Sequence, residues 1–92
     1  MYLNIGNNKN IRIKNIFGIF DADATTVSPV TRQYLAAAER RGAVESAGEE
    51  IPKSFVVYHD RRGMRVCFSQ FSAASLQKRI DEAEGEQVRA AQ

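Results

Sequence analysis

Asp21-Ala-Asp23-Ala-Thr25 follows directly on the apolar run Ile16-Phe17-Gly18-Ile19-Phe20, so two carboxylates stand at the end of a strand-like segment. Paired carboxylates at a strand end can serve as nucleophile and as acid or base. Aspartates in this setting otherwise end strands and form side-chain-to-backbone turns, and the surrounding sequence favours that role.

The spelling of this segment resembles the first motif of haloacid-dehalogenase-type phosphatases, which implies that Asp21 would attack phosphorus and Asp23 act as acid and base beside a magnesium ion. The resemblance also implies a downstream lysine, a further acidic cluster and a doubly wound sheet of about five βα units, for which a 92-residue chain has no room. No other catalytic or metal-binding pattern accompanies it. His59 is the only histidine and Cys67 the only cysteine, eight residues apart, which is not a zinc-ligand spacing. A Cys67/His59 nucleophile and base would lack a third, orienting group. The six glycines never cluster into a phosphate-cradling loop. The expectation is a non-enzymatic protein with no catalytic residues, no cofactor, no bound metal and no small-molecule substrate.

Basic side chains offer a different chemistry. In Tyr58-His-Asp-Arg61-Arg62-Gly63-Met-Arg65 two strand-like runs meet at a turn whose middle is a pair of arginines, with a third just down the strand. Aspartate at the first turn position and glycine at the fourth would make the turn with any polar residues between them. Guanidinium groups at an exposed tip can reach phosphates in forked geometry without disturbing a core. Arg12, Lys14 and Lys53 add positive charge on or beside strands. Arg40 and Arg41 end a helix, where the macrodipole alone accounts for cations. Residues 1–80 carry 12 basic and 7 acidic groups, whereas Asp81, Glu82, Glu84 and Glu86 make the remainder acidic. This is a mild footprint for an anionic partner.

The elements that must position these groups are short. Tyr2–Ile5 and Ile11–Ile13 read as a hairpin around Gly6-Asn7-Asn8-Lys9-Asn10, whose glycine and asparagines tolerate positive φ. Residues 16–20 read as a largely buried third strand. Ser28-Pro29 caps and opens a helix with Thr31, Tyr34, Leu35 and Ala38 on one face, stopped by Gly42. A short strand over 43–46 and a loop over 47–50 precede a long hairpin. A type I turn with a glycine bulge would pair Tyr58 with Val66 and Val56 with Phe68. That register leaves Phe55, Val57 and Cys67 on a semi-apolar second face. A second helix runs from Ser72 to about Glu84. The fold expected is α+β: a small single domain over 1–84, about six short strands, mostly antiparallel hairpins, with two helices, and a frayed tail over 85–92. A chain this short gains from burying surface against copies of itself. No apolar stretch is long enough to cross a bilayer, and "MYLNIGNNKN" lacks the pattern of a secretory leader, so a cytoplasmic protein without a membrane partner is expected.

The segments "MYLNIG", "NIFGIFD", "TTVSPVTRQYL", "PKSFVV" and "SQFSAASLQKR", in this order, resemble the bacterial extracellular-matrix (biofilm) regulators known as Rem proteins, and most closely the RemB-like branch. The resemblance spans residues 1–80. It implies a small α/β protein that assembles into a homo-oligomeric ring and binds double-stranded DNA to regulate matrix genes, with the semi-apolar face of Phe55, Val57 and Cys67 as the candidate subunit interface. In the RemA-like branch, DNA binding is associated with an arginine just before the third strand and an arginine pair in the loop before the long hairpin. Here Lys14-Asn15 occupies the first place and Glu50-Ile51, with Lys53 nearby, the second. The DNA-contacting set expected on these grounds is Arg61, Arg62, Arg65, Lys53, Lys14 and Arg12. The alternative is an oligomeric protein-interaction module without direct DNA binding, with Glu49 and Glu50 marking a surface unsuited to phosphate.

Overall fold

The computed structural model describes residues 1–23, 28–48 and 50–91. Thr25 and Glu49 therefore lie outside the described residues. Six strands and two helices form one small α+β domain: β1 (Tyr2–Asn4), β2 (Asn10–Arg12), β3 (Ile16–Asp21), α1 (Pro29–Arg40), β4 (Val44–Ser46), β5 (Ser54–Asp60), β6 (Gly63–Ser69) and α2 (Ala73–Ala91). One 3₁₀ turn, Ile13–Asn15, joins β2 to β3. β1 and β2 make a two-stranded sheet, and the remaining strands make a four-stranded sheet in the order β3-β5-β6-β4. The second sheet is antiparallel except that β4 runs parallel to β6.

Local chemistry sets the boundaries. Asn7 and Asn8 adopt φ of 48° and 62° at the tip of the first hairpin. Asparagine is among the few non-glycine residues that enter this region readily. Ser28 Oγ accepts the Thr31 backbone N–H at 3.2 Å, and Pro29 occupies the first helical position, where a missing N–H costs nothing. Gly42, at φ 72°, turns the chain out of α1 in the left-handed region. Ser72 Oγ accepts from the Ser75 N–H at 3.1 Å where α2 begins. α2 continues to Ala91.

Three layers result. On one face of the large sheet, Ala38, Leu35 and Tyr34 of α1 pack on Phe55, Val57, Val66 and Phe68. On the other, Leu76 and Ile80 of α2 and Leu3, Ile5 and Ile11 of the first hairpin cover Val56, Tyr58 and Cys67. Each fully buried aliphatic side chain of this kind contributes about 1.5–3 kcal/mol relative to exposure. Two serines tie the layers together. Ser69 Oγ donates to the Ile5 carbonyl at 2.6 Å and accepts from the Phe71 N–H at 3.1 Å, while Ser54 Oγ donates to the Phe71 carbonyl at 2.7 Å.

Two expectations need correction. β3 is an edge strand, with Phe17 and Phe20 substantially exposed, because β5 lies on only one side of it. The long hairpin turns through two residues, Arg61 and Arg62, and pairs Asp60 with Gly63, Tyr58 with Arg65 and Val56 with Cys67. The Asp60 carboxylate accepts the Arg62 N–H at 2.8 Å, which closes the turn one residue earlier than a bulged loop would. A one-residue slip moves every side chain to the opposite face. Phe55 and Val57 thus lie beneath α1 and Cys67 beneath α2 and the first hairpin. All three are buried within the single chain, with Phe55 and Val57 lining an open groove beside β3.

Candidate nucleic-acid interface

The end of the sheet that carries the β5–β6 turn collects basic groups from four parts of the chain. Arg61 and Arg62 occupy the turn and are exposed. α1 ends beside it, where the Arg41 guanidinium donates to the Met64 carbonyl at 3.5 Å, and Arg40 is exposed on the preceding position. Arg65 points inward with its side chain only 8% exposed. It donates to the Gly42 carbonyl at 3.2 Å and to Glu45 at 3.0 Å. From the first hairpin, Lys9 reaches the same Glu45 carboxylate at 2.7 Å, with its ammonium 5.7 Å from the centre of the Tyr58 ring.

Glu45 is the hub of this arrangement. Lys9 first, and then Arg65, hold its carboxyl below its ordinary value of 4.5 against the opposing effect of burial. The hydrogen bond to Glu45 raises Lys9 above its ordinary 10.5. Asp60 braces the other side, 3.5 Å from Arg62 and 3.8 Å from Arg65. Arg62 also approaches Glu45 at 3.8 Å. Lys9, Arg62 and Arg65 face Glu45 and Asp60 at this end, while Glu84 of α2 lines a shallow pocket beside Lys14.

The structure divides the residues expected to contact DNA. Arg61 and Arg62 stand at the centre of the basic end. Lys14 and Arg12 are exposed nearby, since Ile16, where β3 starts, lies opposite Tyr58. Arg65 is committed to Glu45 and Gly42 inside the fold, so it positions the turn and offers no donor to an outside phosphate. Lys53 precedes β5 at its far end, roughly 25 Å of strand from Arg61 at about 3.3 Å per residue. There it has Asp21, Asp23 and Glu50 for company. Lys9, Glu45 and Arg41 were missed by sequence reasoning. Their roles depend on the parallel seat of β4 beside β6, for which the three-residue strand carries no local signal.

The other reactive residues are placed apart. Asp21 ends β3 in an exposed position, and among the described residues no three His, Cys, Asp or Glu side chains are grouped to hold a metal ion. His59 faces Met64 across the hairpin and packs 5.5 Å from the Phe17 ring, not beside Arg65. Burial pushes the Cys67 thiol up to about 11, the reverse of what a nucleophilic thiolate requires. No helix among the described residues is long and apolar enough to cross a membrane. No protein-family model matches the chain, and neither does any curated protein.

Proposed function

We propose that this chain is a non-enzymatic, cytoplasmic DNA-binding regulator of extracellular-matrix genes that acts as a homo-oligomeric ring and contacts duplex phosphates through its basic end. One observation carries the reading: the turn arginines Arg61 and Arg62 are joined by Arg40 and Arg41 on one exposed end, while Glu45 and Asp60 there are engaged by Lys9, Arg62 and Arg65. Arg61 has no carboxylate within ion-pair distance among the described residues. Forked guanidinium donors at a protruding turn suit phosphate oxygens. The resemblance of residues 1–80 to Rem proteins supplies the regulatory setting and the ring.

A single subunit offers few phosphate contacts. Repeating the same basic end around an oligomer multiplies them, since each further contact forms at high effective concentration. Contacts of this kind position the protein on DNA without reading bases, so binding is sequence-tolerant and falls steeply with salt. The test is fluorescence anisotropy with a labelled duplex, comparing wild type with Arg61→Ala/Arg62→Ala. Loss of two phosphate contacts lowers the slope of log K against log salt by about 1.8 for each engaged subunit. Binding of the double variant with wild-type affinity and slope overturns the assignment.

A further inference from the structure

β3 presents a lightly guarded edge. It lies at one margin of the four-stranded sheet with β5 on its inner side and, among the described residues, no strand on its outer side. Natural edge strands are protected by shortness, proline, charge along their length or β-bulges, and of these β3 carries a single bulge between Ile16 and Gly18. β3 is six residues long, and its first five are Ile16-Phe17-Gly18-Ile19-Phe20. The other margin, β4, is only three residues long and includes Glu45.

The α1 side of this edge is apolar. α1 packs over β4 and β6, which leaves an open groove beside β3 lined by Phe17, Phe20, Val30, Tyr34, Val57 and Met64. Phe17 is 67% exposed and Phe20 47% exposed, although each aromatic ring could bury roughly 150–250 Å². On the opposite face Ile13, Ile16 and Ile19 form a second shallow groove with Gln77, Ile80 and Glu84 of α2, so that side mixes apolar and polar groups. A strand docking here must therefore be apolar on the face it turns to the α1 side, and β3, with Phe17 and Phe20 there, meets that requirement.

Charge selects the partner and its direction. Lys14 stands just before β3 and Asp21 at its end; both are exposed, and neither has an ion-pair partner among the described residues. A second copy laid antiparallel brings Lys14 of each chain toward Asp21 of the other, whereas parallel pairing sets like charges together. Antiparallel pairing about a two-fold axis normal to the sheet also keeps Phe17 and Phe20 of both copies on the α1 side of a continuous sheet.

We propose that β3 is a self-association edge through which two copies of this chain pair antiparallel, extending the sheet from four strands to eight. This rests on the self-associating part of the reading above and is independent of its DNA-binding part. Pairing is isologous, so any larger assembly built on it contains an even number of subunits.

The test is sedimentation equilibrium without DNA on wild type, Phe17→Lys, Lys14→Asp, Asp21→Lys and the Lys14→Asp/Asp21→Lys double variant. All substituted positions are exposed, and circular dichroism checks folding. Phe17→Lys places a charge in the middle of the edge and weakens association by at least tenfold. Each single charge change creates two like-charge contacts per dimer and weakens association by roughly tenfold at low salt. The double change restores the opposite pairing and returns association to near wild type. Wild-type association with all variants unchanged removes β3 as the contact while leaving an oligomer intact. A double variant weaker than both singles refutes the antiparallel arrangement. A monomeric wild type overturns both this interface and the ring, and an oligomer with the expected variant behaviour that ignores DNA overturns the DNA reading alone.

Discussion

Glu45→Gln should move stability and DNA binding in opposite directions. Glutamine keeps the size of the side chain but removes the charge that Lys9 meets at 2.7 Å and Arg65 at 3.0 Å. The Lys9–Glu45 pair is about one-third exposed on each side, so solvent screening limits its worth to about 0.2–1 kcal/mol. In a domain of this size each kcal/mol corresponds to about 4–8 °C of melting temperature, so loss of this pair alone lowers Tm by roughly 1–8 °C. Weakening of the inward anchor on Arg65 adds to the fall. The pH dependence identifies the cause. Glu45 is held below its ordinary 4.5 in the folded protein, so its contribution is present above that value and is lost as pH falls through the folded pKa. The Tm difference between wild type and variant is therefore full at neutral pH and closes in acid. It closes again in strong base, because Lys9 is raised above 10.5 and its contribution disappears as pH rises through the folded value. Meanwhile each subunit gains one positive charge at the basic end and frees Lys9, so the variant binds duplex more tightly at low salt. Thermal melts across pH and anisotropy at two salt concentrations measure both effects. An unchanged Tm, or a difference that does not vary with pH, refutes the role assigned to Glu45.

Ser69→Ala leaves the buried Ile5 carbonyl and Phe71 N–H without their shared hydroxyl. Urea denaturation should show a loss of about 1–3 kcal/mol, and a change below half a kcal/mol contradicts the linking role of that serine. Cys67, fully buried with its thiol pushed up to about 11, should resist alkylation at pH 8 in the native protein and react at once in denaturant. Rapid native labelling would show that the packing over it opens. Arg61→Ala should weaken DNA binding more than Arg62→Ala, since Arg62 is already shared with Asp60 and Glu45 at 3.5 and 3.8 Å. Equal losses in a salt titration would mean that these carboxylates do not compete with phosphate.

Much of the fold is written in local sequence. Ser28-Pro29 and Gly42 bound α1, the asparagine tip makes the first hairpin, and the spacing of Leu76 and Ile80 gives the buried face of α2. The register of the β5–β6 hairpin was not legible, for a definite reason. Phe55, Val56, Val57 and Tyr58 are apolar on both faces, so alternation cannot choose between registers. The choice falls to the Asp60 side chain closing a two-residue turn, and with it the burial of Arg65 and of the supposed interface residues. A continuous apolar run at Ile16–Phe20 reads equally as a buried centre strand or as a sticky edge. The basic end was half legible. Arg61 and Arg62 announce themselves at a turn, while Arg41 and Lys9 join them only through contacts distant in sequence.

The most direct test of the central claim is light-scattering mass of the wild-type protein, alone and with a duplex several helical turns long, at low and then raised salt. The account predicts a discrete assembly of several subunits that takes up the duplex and releases it as salt rises, with log K falling linearly against log salt. A monomer, or an assembly that leaves the duplex free at low salt, contradicts it.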